Sequence, residues 1–241
     1  MSSPDALLDT PSLDGSGLPQ LPPLFRLVPR RDGGAFAAAC RDAEAGAEAG
    51  TLHWTRRTDL LDAAVVLEPD RPLADTRLAP CVAMLALADA LVAHGPPNVK
   101  IALGGPEGAP DRLLVNGGWI GGVRFAVPDG TRDPDVPGWA VVGFGVDTLG
   151  DPDDDSPGRD PTRTALREEG FGELDAAELL ESVARHLLAW MDVWENDGDA
   201  PILRAWSRAL GGKAGAGTAA FPARPSWTLP ERSPRWTRPN A

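Results

Sequence analysis

Side-chain ammonium groups are scarce in this chain of 241 residues: among 23 Lys and Arg, only Lys100 and Lys213 are lysines. A reaction that needs an ammonium to neutralise a developing anion therefore has two candidates. Every other cation is a guanidinium, which stays charged and meets anions through a planar fork. Carboxylates are plentiful, with 35 Asp and Glu, but metal chemistry needs them paired. Asp147, at the end of the apolar run AVVGFGVD, would need a second carboxylate to hold magnesium, and Asp111 is the partner the sequence offers. Capping or a solvated loop is the competing reading of both. The acids of the run 151–155 have the charge of a calcium site without its spacing, so they read as a solvated loop.

Other reactive types do not cluster. His53 sits beside Trp54 on one strand and reads as a hydrogen-bonded structural residue. His94 falls at a helix C-terminus, where a cation is favoured, and His186 lies in an apolar helical neighbourhood. No local pattern suggests a Ser/His/Asp or Cys/His series. Gly143-x-Gly145 is too short for a dinucleotide fingerprint and has no following helix. Cys40 and Cys81 belong to no CxxC cluster and read as reduced, buried thiols. The unusual feature is Trp119, a large ring set between the pairs Gly117-Gly118 and Gly121-Gly122. Glycine pairs let a backbone come close to something, and the indole must cover that something or block it.

Charge narrows the partners. A formal net charge of −12 and a pI near 4.7 repel phosphate backbones and anionic membranes. The N-terminus has no basic segment of the signal-peptide kind. The apolar stretch 81–93 carries Asp89 and falls short of the ~20 residues that span a bilayer. The expectation is a cytoplasmic protein.

The elements that must position these residues follow from periodicity. Residues 1–24 read as a flexible lead-in, and 211–241, rich in Pro, Gly and Arg, as a poorly ordered tail whose Trp227 and Trp236 could dock on the domain or a partner. Between them the order is an alanine-rich helix (33–50) stopped by Gly46 and Gly50, strands at 51–57 and 62–69 with Asp59 and Leu60 in the turn, and a helix (79–94). A strand (99–103), a hairpin (109–128) turning at Asn116-Gly117, and a buried strand (138–149) come next. A long helix (175–195) capped by Asp175 and a shorter one (201–210) finish the domain, with Trp190, Trp194 and Trp206 at core spacing. The expected fold is α+β, a mixed, largely antiparallel sheet flanked by helices over 25–210.

In this order the segments VNGGWIGG, VVGFGVD and TALREEG resemble the catalytic domain of the biotin/lipoate–protein ligase family, whose fold is related to class II synthetase cores. That family reads Lys-Trp-Pro-Asn-Asp-Leu, then Gly-x-Lys-x-x-Gly, then Gly-Ile-Gly-Ile-Asn. Laid on this chain without a gap, the first motif falls on Gly108, Ala109, Pro110, Asp111, Arg112 and Leu113, the second on residues 117–122, and the third on 143–147. The resemblance implies binding of a small carboxylic acid, its activation with ATP and magnesium to an acyl-adenylate, and transfer to a lysine of a carrier domain. It implies a substrate site made by Trp54, Arg56, Gly118, Trp119, Gly121, Gly122 and Asp147.

The departures bear on mechanism. Trp119 stands where the family keeps its central lysine, and an indole supplies no cation. The other family lysine falls on Gly108, with Lys100 as a weak substitute if the GGPEG loop is an insertion. The arginine- and glycine-rich loop expected before Trp54 is the acidic AEAGAEAG, with Arg56 and Arg57 arriving only after the tryptophan. Removing one preorganised charge of this kind costs about 10²–10³ in rate. The expectation is a family member with impaired catalysis. The alternative is a non-catalytic binding or scaffold protein for biotin- or lipoyl-type acids or acylated carrier domains.

Overall fold

The computed structural model describes residues 17–31, 34–104, 111–150, 162–172 and 174–210. Gly108, Ala109 and Pro110, the acidic run 151–155, and the tail with Trp227 and Trp236 lie outside the described residues.

One seven-stranded sheet runs in the order β1-β2-β3-β7-β6-β5-β4. Strand β1 (Arg26–Arg30) and β2 (Thr51–Thr55) are parallel, joined across helix α1 (Ala35–Glu44). All other pairings are antiparallel: β2 with β3 (Leu60–Leu67), β3 with β7 (Ala140–Asp147), β7 with β6 (Gly118–Ala126), β6 with β5 (Arg112–Val115), and β5 with β4 (Ile101–Leu103). The α+β expectation of a mixed, largely antiparallel sheet holds.

The structure differs from the sequence reading in several places. Strand β1 was not expected; it contains Pro29, which lacks a ladder donor, and it lies at the sheet edge, where proline is tolerated. Leu60, read as a turn residue, opens β3 opposite Asp147. The alanine-rich helix ends at Glu44, with the first of its two expected stops, Gly46, at φ +88° just beyond it. Residues 17–24, read as part of a flexible lead-in, are tied down instead. Leu18 and Leu21 pack against the core, and the Gln20 amide donates to the Glu181 carboxylate at 2.7 Å.

The helices divide between the two faces of the sheet. α3 (Ala79–His94), α4 (Ala176–Asp197) and α5 (Asp199–Ala209) cover one face, meeting Leu52, Trp54, Ala63, Val65, Val123, Phe125, Val142 and Phe144 in the main core. Short helix α2 (Leu73–Thr76) leads into α3, so Leu73–His94 is long and apolar enough to cross a membrane, more than the stretch 81–93 suggested; most of it is buried in this core. Asp175 caps α4 as expected, accepting from the Glu178 amide at 2.8 Å. Trp194 and Trp206 are buried, while Trp190 is half-buried and donates to Asp89 at 2.7 Å.

Among the described helices, α1 alone packs on the other face, with Ala35, Ala39 and Ala43 against Ala64, Val66 and Val141. Its N-terminus has no side-chain cap of its own, since Gly34 stands there. Asp62 of β3 reaches across to accept the Ala35 amide at 3.0 Å and the Thr55 hydroxyl at 2.7 Å. The sheet thus pins the helix that walls the second face.

Candidate functional site

Residues alternate across the strands, so the α1 face of β5–β6–β7–β3 carries Arg112, Gly122, Arg124, Gly143, Gly145, Asp62 and Asp147. The register reads straight across as Arg112, Gly122, Gly145, Asp62. Four strands at ~4.8 Å spacing give a strip about 14 Å wide, a cation at one end and a carboxylate at the other. Two glycines without side chains form its floor.

The hairpin supplies the cation end. Asn116 at φ 50° and Gly117 at φ 94° make the expected two-residue turn. Pairing then slips by one: Leu114 opposes Trp119 and Leu113 opposes Gly121, leaving Ile120 as the extra residue of a β-bulge. The bulge turns Ile120 into the main core and Trp119 onto the α1 face. The indole lies between two guanidinium groups, Arg112 at 5.2 Å and Arg163 at 4.6 Å from the ring centroid. Its ring N–H donates to the Gly121 carbonyl at 2.6 Å, which fixes the ring plane. Stacking of this kind contributes about 0.5–2 kcal/mol per pair, depending on desolvation.

Arg163 arrives from far along the chain. Its segment runs parallel beside Trp119: the Trp119 amide donates to Thr162 O at 2.8 Å and the Thr164 amide to Trp119 O at 3.1 Å. The following turn, the TALREEG segment, latches to the hairpin tip. The Thr164 hydroxyl and the Asn116 amide group both donate to the Glu169 carboxylate, at 2.6 and 2.7 Å.

The paired glycines have a backbone explanation. A Cβ on Gly121, at φ +149°, would overlap the Gly145 carbonyl; one on Gly122 would overlap the Asp111 carbonyl. Gly118 packs against Thr164. The glycines let β5, β6 and β7 close up beneath the indole, which is half-buried above them.

A third guanidinium, Arg124, lies beside this strip with its charge 5.7 Å from the Phe36 ring of α1. Burial lowers its pKa to about 10, against the opposing pull of the Asp62 carboxylate. The thiols are protonated: burial pushes Cys40 up to about 11 and Cys81 up to about 12.

Of the residues the sequence reading gathered, Trp119, Gly122 and Asp147 share this face, and Gly118 and Gly121 belong to its backbone. Trp54 lies on the opposite face, in the row Trp54, Ala63, Phe144, Val123. Arg56 is exposed beyond the end of β2, and Arg57 forks onto Asp59, which raises its pKa. Lys100 is exposed next to the outer strand β4, its amide on the Asn116 side chain at 3.1 Å. Asp111 and Asp147 stand on β5's approach and β7's end, two strands apart, and Asp147 accepts the Gly150 amide at 3.0 Å. Among the described residues no three His, Cys, Asp or Glu side chains converge as metal donors. Arg112, Arg124, Arg163 and Asp62 were not singled out from the sequence. Counting back from the Asn116-Gly117 turn would have put Arg112 on Trp119's side of the hairpin; nothing local announces Arg163.

His53 is 0 % exposed beneath α1, its Nε2 3.3 Å from the Asp42 carboxylate. Burial lowers its pKa, Asp42 opposes that, and Arg30, Arg26 and Arg41 reinforce it. The folded state therefore favours the neutral ring. That contribution is complete above the ordinary value of 6.5 and is lost as pH falls through the lowered folded value. The urea midpoint is expected to drop on acidification below pH 6.5, and His53→Gln should flatten that part of the profile. Parallel profiles for the two proteins would assign the titration to another group.

Comparison with known proteins adds the lineage. Residues 21–208 match the sequence profile of the Biotin/lipoate A/B protein ligase family. A crystal structure of a biotin protein ligase-like protein of unknown function from Silicibacter sp. TM1040 is 32% identical, with TM-score 0.71, covering 80% of this chain and 81% of that one. Biotin protein ligase from Aquifex aeolicus in complex with biotin and ATP is 16% identical, TM-score 0.56, over 73% and 76% of the two chains. The Leishmania major enzyme in complex with biotinyl-5-AMP is 16% identical, TM-score 0.53, over 78% and 82%. The last two are likenesses of fold. Among curated proteins none matches the chain.

Proposed function

The chain belongs to the biotin/lipoate A/B protein ligase family, and on that premise we propose that it holds a small carboxylic acid of biotin or lipoyl type on the α1 face and activates it poorly. The observation that carries the reading is the indole of Trp119, held between Arg112 and Arg163 at the head of a strip floored by Gly122 and Gly145. Two guanidiniums astride an aromatic plate can accept a carboxylate edge-on while the acyl chain lies along the strip. Neither places a point charge at position 119 itself, where the resemblance puts the lysine that steadies carboxylate and α-phosphate as they approach. The result is good acid binding with slow adenylate formation.

If residual activation persists, the phosphates of ATP would meet the same guanidiniums. Magnesium finds no assembled donor set among the described residues, since Asp111 and Asp147 stand apart. The acyl group would be delivered to, or held against, a biotin- or lipoyl-carrier domain in the cytoplasm. Retained carrier acylation and a ligand-free scaffold are the rival outcomes.

Calorimetry of the full chain with biotin, lipoate and octanoate tests the reading. One acid is expected to bind, and Arg112→Ala to weaken it about 10–100-fold, the worth of one charge-assisted hydrogen bond. No heat with any acid, or equal affinity in the variant, overturns it. Rapid pyrophosphate exchange in the native chain overturns the claim of poor activation alone.

A further inference from the structure

Away from Trp119, past β7 and β3, the α1 side of the sheet ends in an open ledge. Helix α1 lies over β2, β3 and β7, and the edge strand β1 runs beside it. The parallel register sets Arg26 against Thr51, Val28 against His53 and Arg30 against Thr55, so all six share the α1 face. Arg26 is exposed and Arg30 half-buried. At ~3.3 Å per residue their Cα atoms stand about 13 Å apart, a span that two long side chains can close from both ends. Arg41 joins them from α1, next to Asp42, whose carboxylate is 3.3 Å from the His53 Nε2.

These guanidiniums are unbalanced. The chain has 35 Asp and Glu against 23 Lys and Arg, yet among the described residues Arg26, Arg30 and Arg41 meet no carboxylate at ion-pair distance. The Arg26 guanidinium donates to the Thr51 hydroxyl at 3.0 Å. The Arg30 Nε is buried without an acceptor among the described residues, and the Nδ1 of the fully buried His53 has no partner there either. All three cations bear on His53, helping burial to hold its pKa down; Asp42 opposes them, and Ala64 faces the ring from β3 without charge. Cations gathered about a floor of Val28 and His53, with donors left over, form a seat for an oxyanion.

We propose that this ledge binds a phosphate dianion, free or as the terminal group of a larger molecule, between Arg26 and Arg30 with Arg41 closing from α1. Three forked guanidiniums present more donors than the two oxygens of a carboxylate can accept, and a phosphate has the oxygens to use them. The acids elsewhere on the chain are screened beyond ~8 Å at physiological salt, whereas the three cations act at contact. The ledge lies over β1 and β2 and Trp119 on β6, so this site is separate from the glycine-floored strip and does not depend on acid binding there. A phosphate seated on the ledge offsets the three cations and favours the charged imidazole. The His53 pKa should therefore rise, and the loss of stability below pH 6.5 should shrink.

The test is proton NMR of the 3 histidine rings in the full chain, the His53 lines being assigned by their loss in His53→Gln. Inorganic phosphate is added against potassium chloride at equal ionic strength, with glycerol phosphate run beside it. The expected result is a saturable rise of the His53 pKa with phosphate and none with chloride, while His94 and His186 hold. Tighter binding of glycerol phosphate places the anion on a larger molecule; equal or weaker binding marks free phosphate as the ligand. Arg26→Gln, which changes an exposed side chain, and Arg30→Gln should each weaken binding about 10-fold. A His53 pKa indifferent to both phosphates overturns the proposal. So does a response that chloride reproduces, or one that survives unchanged in both arginine variants.

Discussion

Gly121→Ala is expected to lower the melting temperature by about 10 °C, with Gly122→Ala close behind. The new methyl group at 121 would overlap the Gly145 carbonyl at a backbone φ of +149°, where any side chain is strained. At 122 it would overlap the Asp111 carbonyl. Both obstacles are backbone in paired strands, so relief means separating β6 from β7 or from β5. A cost of about 4 kcal/mol sits at the upper end for single substitutions, and each kcal/mol shifts melting by about 2–4 °C in a chain of this size. Gly138→Ala is the control: no atom lies within 4 Å of its built Cβ, so a change within about 0.5 kcal/mol is expected. Calorimetric melting of the three variants decides it. A Gly121→Ala protein that melts with the native one would mean the strands are not closed as described.

Trp119→Lys should raise pyrophosphate exchange with the cognate acid about 10²-fold and, without ligand, make the protein less stable. Both effects come from one geometry. The new ammonium would stand between Arg112 and Arg163, whose guanidiniums lie 5.2 and 4.6 Å from the present ring centroid. Like charges ~5 Å apart repel by about 3 kcal/mol at an effective dielectric of 20, less at this half-exposed site where the lysine can swing outward. An anion placed among the three cations turns that repulsion into attraction. Acid with ATP should therefore restore the lost melting temperature in the variant more than it raises that of the native chain. Trp119→Phe keeps an aromatic plate, drops the bond to the Gly121 carbonyl and adds no cation, so it should gain no exchange. A folded Trp119→Lys protein with no gain in nucleotide or adenylate affinity would remove position 119 from the activation chemistry.

How much of the site could be read beforehand varies residue by residue. Asn116-Gly117 announces its turn, because consecutive positive φ values select those residues, and the turn sets which side chains share a face. Trp119 was legible as anomalous. Trp54 was placed with the site by motif order, but strand alternation puts it in the opposite layer, beside Ala63 and Phe144. Arg163 was illegible: its contact needs residues 162–164 laid beside Trp119, a pairing separated by more than forty positions and set by the whole sheet.

The sequence by itself determined the order of ten of the helices and strands, the capped α4, the tryptophan between glycines and the absence of a lysine there. Those depend on local propensity, period and residue chemistry. Only the tertiary structure decided that β1 completes the edge in parallel, that α1 takes the face opposite α3, α4 and α5 with Asp62 as its remote cap, and that two guanidiniums clasp the indole. Such features arise where segments distant in the chain meet, and their free energy comes from burial and register that no single stretch encodes.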